Sequence, residues 1–325
     1  MTDEVTWIAL KKRLETVIAI TVTPFDTAGK IDEQGFTRLI QRLLDGGVKA
    51  ITINGNTSEF YSLTADEWRQ LVRLAADQAS GRAVVIVGIG YDLSTATEMG
   101  RFAQGAGASG LMVQQPVHPY QSPAGWLEYH SAIAKALPEM AILPYLRMPL
   151  SGRWIAELAD RCPNLIAVKY AVADPLRFTE TVREVGADRL SWICGLAEPW
   201  APFFWLGGAR GFTSGLVNLK PQISLDLLMQ LRQGGVEEVL RIWHQVQPLE
   251  QLRAADGSMR NVSVVKEALA QLGLCSPAVR PPISRVSEAE AARIGEILGS
   301  WGLVETRSQR QRQGPENAVA RPQLQ

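Results

Sequence analysis

The residue with the clearest capacity for chemistry in this 325-residue chain is Lys169. It interrupts an otherwise apolar run, Leu165-Ile166-Ala167-Val168-Lys169-Tyr170-Ala171-Val172, which reads as a strand covered on both faces. Burial in low dielectric disfavours an ammonium and lowers its pKa, and a neutral amine near pH 7 is what attack on a carbonyl to form a Schiff base requires. The alternative is a lysine at the strand's exposed end, solvated or paired with a carboxylate. Tyr145 closes another apolar run, 141–145. A phenol beside a neutral amine can relay protons to and from an imine or carbinolamine, although the same tyrosine could belong to a core. In the segment Asn54-Gly55-Asn56-Thr57-Ser58-Glu59, the glycine lets backbone approach a small anion. The hydroxyls of Thr57 and Ser58 and nearby N–H groups could then hold a carboxylate; a tight turn with a cap would look the same.

These residues need a frame that brings them together. Short apolar runs at 17–22, 50–53, 84–87, 110–113, 141–145, 165–172, 190–194 and 211–213 alternate with helical patterns, the mark of repeated βα units. The helices fall near 32–45, after the capping box Thr64-Ala65-Asp66-Glu67, and near 94–106, 125–136, 151–161, 175–185 and 199–206. Eight such repeats match a closed (β/α)8 TIM barrel in number and length. An open doubly wound sheet would carry a glycine fingerprint after its first strand, and Thr21-Val22-Thr23-Pro24-Phe25 is not one. After Pro221 only helical patterns remain, near 222–233, 236–254, 258–272 and 288–298. The expected organisation is a catalytic barrel at 1–221, a C-terminal helical extension at 222–304, and a polar, disordered tail at 305–325.

A barrel of this kind places its active site at the C-terminal ends of the strands. That rule gathers Lys169, Tyr145 and the 54–59 loop into one funnel. Thr21 and Thr23 after strand one, Gly195 after strand seven, and Ser214, Gly215 and Asn218 after strand eight join them.

Composition narrows the function classes. Lys plus Arg and Asp plus Glu both number 33, for zero net charge; with no basic run before the tail, nucleic acid is not an expected partner. The N-terminus lacks signal-peptide shape, and the most apolar region, 200–217, is broken by Gly207, Gly208, Arg210 and Gly211. No membrane segment is expected, and a cytoplasmic protein is. Cys162, Cys194 and Cys275 are widely spaced and read as reduced thiols. His118, His130 and His244 also lack metal-ligand spacing, so no metal site is expected.

The residues quoted above resemble the dihydrodipicolinate synthase and N-acetylneuraminate lyase family, the pyruvate-type class I aldolases and dehydratases. The likeness runs from about Val17 through the helical extension. Val22-Thr23-Pro24-Phe25 is similar to the family's opening strand, and Gly55-Asn56-Thr57-Ser58-Glu59 stands where the family has Gly-Thr-Thr-Gly-Glu. Tyr145 and Lys169 stand at its tyrosine and Schiff-base lysine, and 208–215 is similar to its Gly-Gly-x-Gly-x-x-Ser pattern, with Asn218 following. The resemblance implies a lyase acting on a small 2-oxo acid, no cofactor beyond the lysine imine itself, and a homo-oligomer, commonly a tetramer.

The departures bear on substrate. Asn56 and Ser58 replace a threonine and a glycine of the loop, which implies a remodelled carboxylate site. The lysine-pathway members follow the tyrosine with Asn-x-Pro-x-Arg; here Leu146-Arg147-Met148-Pro149 follows, bringing Arg147 close to Tyr145. Their tyrosine pair after strand four is replaced by Gln115-Pro116-Val117-His118-Pro119-Tyr120, with His118 or Tyr120 near the position that completes a neighbour's proton relay. His118 could equally be a surface histidine without a role. Tyr170 replaces a residue commonly acidic in relatives. The expected activity is cleavage or dehydration of a 2-keto-3-deoxy sugar acid, with Arg147, Asn218 and the strand-four loop reading its far end. Condensation of pyruvate with aspartate semialdehyde is the alternative. Two further alternatives are a non-catalytic metabolite-binding barrel and a phosphate-binding barrel using 207–215 as an anion cradle.

Overall fold

The computed structural model describes residues 4–304. The strands are β1 (Val17–Ile20), β2 (Ala50–Ile53), β3 (Val84–Ile89), β4 (Gly110–Val113), β5 (Ala141–Leu146), β6 (Ala167–Tyr170), β7 (Ser191–Cys194) and β8 (Gly211–Ser214). Each pairs in parallel with the next, and β8 closes on β1. The molecule is therefore a (β/α)8 barrel. Every strand residue is buried, because one face meets the barrel interior and the other the helical layer.

The two-residue period decides which side chain goes where. Ile18, Ala50, Ile86, Met112, Leu143, Ala167 and Ile193 point inward and fill the barrel. Their neighbours Val17, Ile51, Val85, Leu111, Ile142, Val168 and Trp192 point outward against helices. Continuing the inward parity by one step reaches the C-terminal rim at Gln114, Tyr145, Lys169 and Gly195. The strand register sets Tyr145 directly beside Lys169.

The helices are α1 (Glu4–Leu14), α2 (Glu33–Asp45), α3 (Ala65–Ala79), α4 (Leu93–Gly105), α5 (Pro123–Ala136), α6 (Gly152–Arg161), α7 (Pro175–Val185), α8 (Ala197–Leu206), α9 (Pro221–Gln233), α10 (Val236–Ser258), α11 (Asn261–Gln271) and α12 (Glu288–Ser300). The Thr64 box forms as read: its hydroxyl accepts from Glu67 N–H, and the Glu67 carboxylate accepts from Thr64 N–H. α9 follows β8 and packs on α8 and β1, the place of a barrel's eighth helix; α10 to α12 are added to that frame. The backbone of α10 leaves helical geometry at Ala255, Asp256 and Gly257, close to the expected stop at 254. α1 was not foreseen. Only its Leu10 and Leu14 join the barrel's interior cluster, with Trp7 partly buried against it, so its apolar stripe is too thin to stand out as a helical period. The tail expected at 305–325 lies outside the described residues.

The extension grips the barrel through one buried ion pair. Lys266 of α11 pairs with Glu59 of the loop after β2, and both side chains are fully buried. Lys266 Nζ also donates to the Ala278 carbonyl, and the other Glu59 oxygen accepts from Arg280 N–H at 2.9 Å. Arg280 in turn forks onto Glu67 at 2.8 and 2.6 Å. Phe25 is covered by both cations, each 4.1 Å from its ring centroid. Glu59 itself sits at φ 62°, a left-handed conformation costly for a residue with a Cβ and held here by its partners. Removing one member strands a buried charge. Lys266→Met is therefore expected to lose roughly 3–5 kcal/mol in a denaturant titration, and the Glu59→Gln/Lys266→Met double variant less. Equal losses would show that the pair is not coupled.

Candidate active site

Lys169 is almost fully buried, and its Nζ lies 3.9 Å from the centroid of the Tyr145 ring. Among the described residues it has no carboxylate partner within ion-pair distance. Burial first, and then the positive charge of nearby Arg147, lower its pKa to about 7, with Cys194 opposing. Apolar walls and a neighbouring cation thus make the neutral amine accessible near neutral pH. Gly195 is what lets the lysine stem pass: a Cβ there would lie 2.8 Å from the Ala171 Cβ and 3.0 Å from the Lys169 Cγ. The Tyr145 phenol is also buried, and desolvation raises its pKa, with Arg147 and the Asn56 amide opposing. It is a protonated donor at neutral pH.

Above this pair opens a cavity of about 360 Å³, whose walls include Asn56, Tyr61, Gln114, Gln115, Tyr145 and Arg147. The lysine stands behind Tyr145 rather than in the wall. Asn56 begins a 3-10 turn, Asn56–Ser58, and neither its N–H nor that of Thr57 has an acceptor within such a turn. The Thr57 hydroxyl likewise has no hydrogen-bond partner among the described residues. These donors are left without a partner in the turn.

Several expected ligands are occupied elsewhere. The Ser58 hydroxyl donates to the Thr21 carbonyl at 2.5 Å and accepts from Gly55 N–H at 3.2 Å. It shapes the loop and has no donor left for substrate. Ser214 points outward by strand parity. It donates to the buried Glu198 carboxylate at 2.5 Å and accepts from Val217 N–H at 2.9 Å. Glu198 is pushed up to about 7, first by burial and then by Glu250. Asn218 donates to the Ile20 and Gly215 carbonyls, at 2.9 and 2.8 Å, stapling β8 to β1. Its position is structural. Thr21 and Thr23 also bond within the loops, to the Thr52 and Ser58 carbonyls.

Arg147 is exposed at the cavity mouth, and its N–H donates to Gln115 Oε1 at 3.4 Å. His118 is exposed outside the cavity wall, and its Nδ1 accepts from Tyr120 N–H at 3.1 Å. Tyr170 faces away from the pocket and packs on Phe178 and Phe204, with centroids at 5.1 and 6.1 Å. It repacks the helical layer and does not read substrate. The glycines at 207–215 are equally removed from the mouth. A Cβ on Gly207 would strike Thr179 and Phe178 of α7, one on Gly208 would strike Val182 of α7, and one on Gly211 the backbone at Leu14 and Thr16. They permit close packing, so no anion cradle forms there.

With this geometry in view, the comparisons are specific. The model of the dihydrodipicolinate synthetase family matches residues 13–300. The chain belongs to that family. It is thereby a lyase of the aldolase and dehydratase kind. A probable 5-dehydro-4-deoxyglucarate dehydratase of Methylobacterium radiotolerans is 31% identical over 288 residues, covering 87% of this chain and 94% of the relative. A protein of the same name from Bacillus subtilis is 30% identical over 295 residues, covering 89% and 94%. The crystal structure of dihydrodipicolinate synthase from Bacillus clausii superposes with a TM-score of 0.87 at 41% identity, covering 90% of this chain and 99% of that one. That from Oceanobacillus iheyensis superposes at 0.88 with 40% identity, covering 92% and 100%.

Gln114 and Tyr61 were not foreseen as cavity residues. Inward parity from Met112 would have found Gln114; Tyr61 lies in a loop with no period to follow. Among the described residues no cluster of three His, Cys, Asp or Glu side chains is arranged to hold a metal ion, and no helix is long and apolar enough to cross a membrane.

The lowered lysine pKa has a stability consequence. Below pH 7 both folded and unfolded states carry the proton, and the buried charge penalises the fold in full. Between pH 7 and the ordinary lysine range the unfolded state binds more protons, so stability from this group rises with pH. Lys169→Met is expected to be more stable than wild type at pH 6, with the advantage shrinking as pH rises toward 10. A stability difference that does not vary over this range would mean that the amine is not desolvated.

Proposed function

We propose that Lys169 forms a Schiff base with a 2-oxo acid and that the enzyme dehydrates or cleaves a 2-keto-3-deoxy sugar acid. The observation that carries this reading is the buried Lys169–Tyr145 pair, with the lysine pKa lowered to about 7 and its Nζ over the phenol ring. The substrate carboxylate is held by the Thr57 hydroxyl and the N–H groups of Asn56 and Thr57. The neutral Lys169 amine adds to the C2 carbonyl, and Tyr145 supplies and recovers the proton as the carbinolamine loses water. The resulting iminium withdraws electrons from C3. Loss of a C3 proton then expels the C4 hydroxyl as water; alternatively, loss of the C4 hydroxyl proton breaks the C3–C4 bond. No cofactor is needed for either route, because the iminium is the electron sink.

The names of the dehydratase relatives make 5-dehydro-4-deoxyglucarate the first substrate to try. Arg147 at the mouth is a suitable counter-charge for a distal carboxylate. The solved structures carrying the synthase name favour, as second reading, condensation of pyruvate with aspartate semialdehyde. Absence of the Asn-x-Pro-x-Arg pattern and of the tyrosine pair speaks for the first. We also infer a homo-oligomer, a tetramer by resemblance. The exposed Val117 and Tyr120 of the 115–120 loop, 72% and 88% accessible, are compatible with a neighbouring subunit there.

The test is turnover of a panel containing 2-keto-3-deoxy sugar acids, 5-dehydro-4-deoxyglucarate, and pyruvate with aspartate semialdehyde, with products identified by mass spectrometry. Water loss or carbon–carbon cleavage of a sugar acid is the expected result; exclusive turnover of the pyruvate and semialdehyde pair would replace it with the second reading. On the true substrate Tyr145→Phe is expected to lower kcat about 10²–10⁴-fold, the usual range for general acid–base catalysis. A rate near that of wild type would remove Tyr145 from the proton path.

A further inference from the structure

Gln114 is an amide with no evident business in a barrel wall. It is 1% exposed, occupies the first inward position beyond β4, and lines the cavity above Tyr145. Its Nε2 approaches the Asn54 carbonyl at 3.4 Å, which fixes the amide's orientation, since a carbonyl can only accept. Oε1 is thereby the free end, and it is buried without a hydrogen-bond partner among the described residues. The neighbouring strand makes room for this arrangement. A Cβ on Gly88 would lie 2.0 Å from the Asn54 carbonyl oxygen and 3.0 Å from Gln114 Nε2, and one on Gly90 would lie 3.2 Å from Gln114 Cβ. In the same cavity wall Asn56 Oδ1 is also buried and unpartnered. Gln115 differs: its Oε1 accepts from Arg147 N–H and its Nε2 donates to Gln121 Oε1 at 2.6 Å, so it serves the loop.

A buried acceptor without a donor is costly to maintain, and the cost is recovered when a ligand brings the donor. Gln114 and Asn56 both belong to the cavity wall, together with Tyr145 and with the cation Arg147, while the side-chain oxygens of the two amides are buried without a donor among the described residues. We propose that Gln114 is a specificity-determining residue that accepts a hydrogen bond from a hydroxyl on the substrate chain beyond the reacting carbonyl, with Asn56 Oδ1 as a second acceptor. The ligand class is a polyhydroxy 2-oxo acid; a 2-oxo acid with a bare methylene chain leaves both oxygens unpaired and binds more weakly. This rests on the sugar-acid reading above and deepens it, by assigning the discrimination to an amide that composition and motif did not mark.

Titration calorimetry on the Lys169→Ala variant, which binds without forming the imine, tests it with two probes. These are 5-dehydro-4-deoxyglucarate and 2-oxoadipate, the acid of equal chain length that lacks both hydroxyls. The expected result is a preference of about tenfold or more for the hydroxylated acid, collapsing toward unity in Lys169→Ala/Gln114→Met while 2-oxoadipate binds as before. Retained 2-oxoadipate binding also shows that the pocket is intact. No preference in Lys169→Ala, or a preference that survives Gln114→Met, overturns the proposal. Failure of the sugar-acid reading appears separately, as absence of turnover of the hydroxylated acid by wild type, and leaves the binding ratio readable.

Discussion

The candidate site depends on one desolvated amine, Lys169, whose pKa falls to about 7, chiefly through burial. Lys169 enters the barrel from the inner face of β6, above the small Ala167 and beside Tyr145, and among the described residues no carboxylate stands within ion-pair distance of it. The arrangement is held by packing. Gly195 clears a path for the stem, the Tyr145 ring lies over Nζ, and Arg147 adds positive potential from the mouth. A single carboxylate in hydrogen-bond reach would raise the pKa, and the proposed role of Lys169 as nucleophile requires that it stay low.

Around that amine the fold divides its labour. The barrel fixes Tyr145 and Lys169 by strand register, the most rigid positioning available in such a molecule. The turn after β2, which carries Asn56 and Thr57, lies outside the strands and needs support from elsewhere. Glu59 provides it by reaching into the extension, to Lys266 and the Arg280 backbone, while Ser58 ties the same turn to β1 through the Thr21 carbonyl. The helical extension is thus coupled to the active site although none of its side chains lines the cavity.

Much of this was legible in the sequence because it follows from local period. Eight apolar runs at βα spacing give the barrel, and the rim rule places Lys169, Tyr145 and the 54–59 loop together. What stayed hidden depends on partners distant along the chain. Whether a hydroxyl is free for substrate is decided by the acceptor it finds, Thr21 for Ser58 and Glu198 for Ser214. A motif match does not contain that information. Asn218 is similarly spent on Ile20, far away in sequence and adjacent only once β8 closes on β1. Tyr170 fell to the opposite error, since parity from Lys169 turns it outward, and the same parity applied from Met112 would have brought Gln114 in.

The central claim is that Lys169 is the carbonyl nucleophile. Reduction with borohydride in the presence of pyruvate, followed by peptide mapping in a mass spectrometer, tests it most directly. The account predicts a stable adduct on the peptide carrying Lys169, absent when pyruvate is omitted and absent in Lys169→Ala. An unmodified Lys169 under these conditions, or an adduct on another lysine that persists in Lys169→Ala, would contradict it.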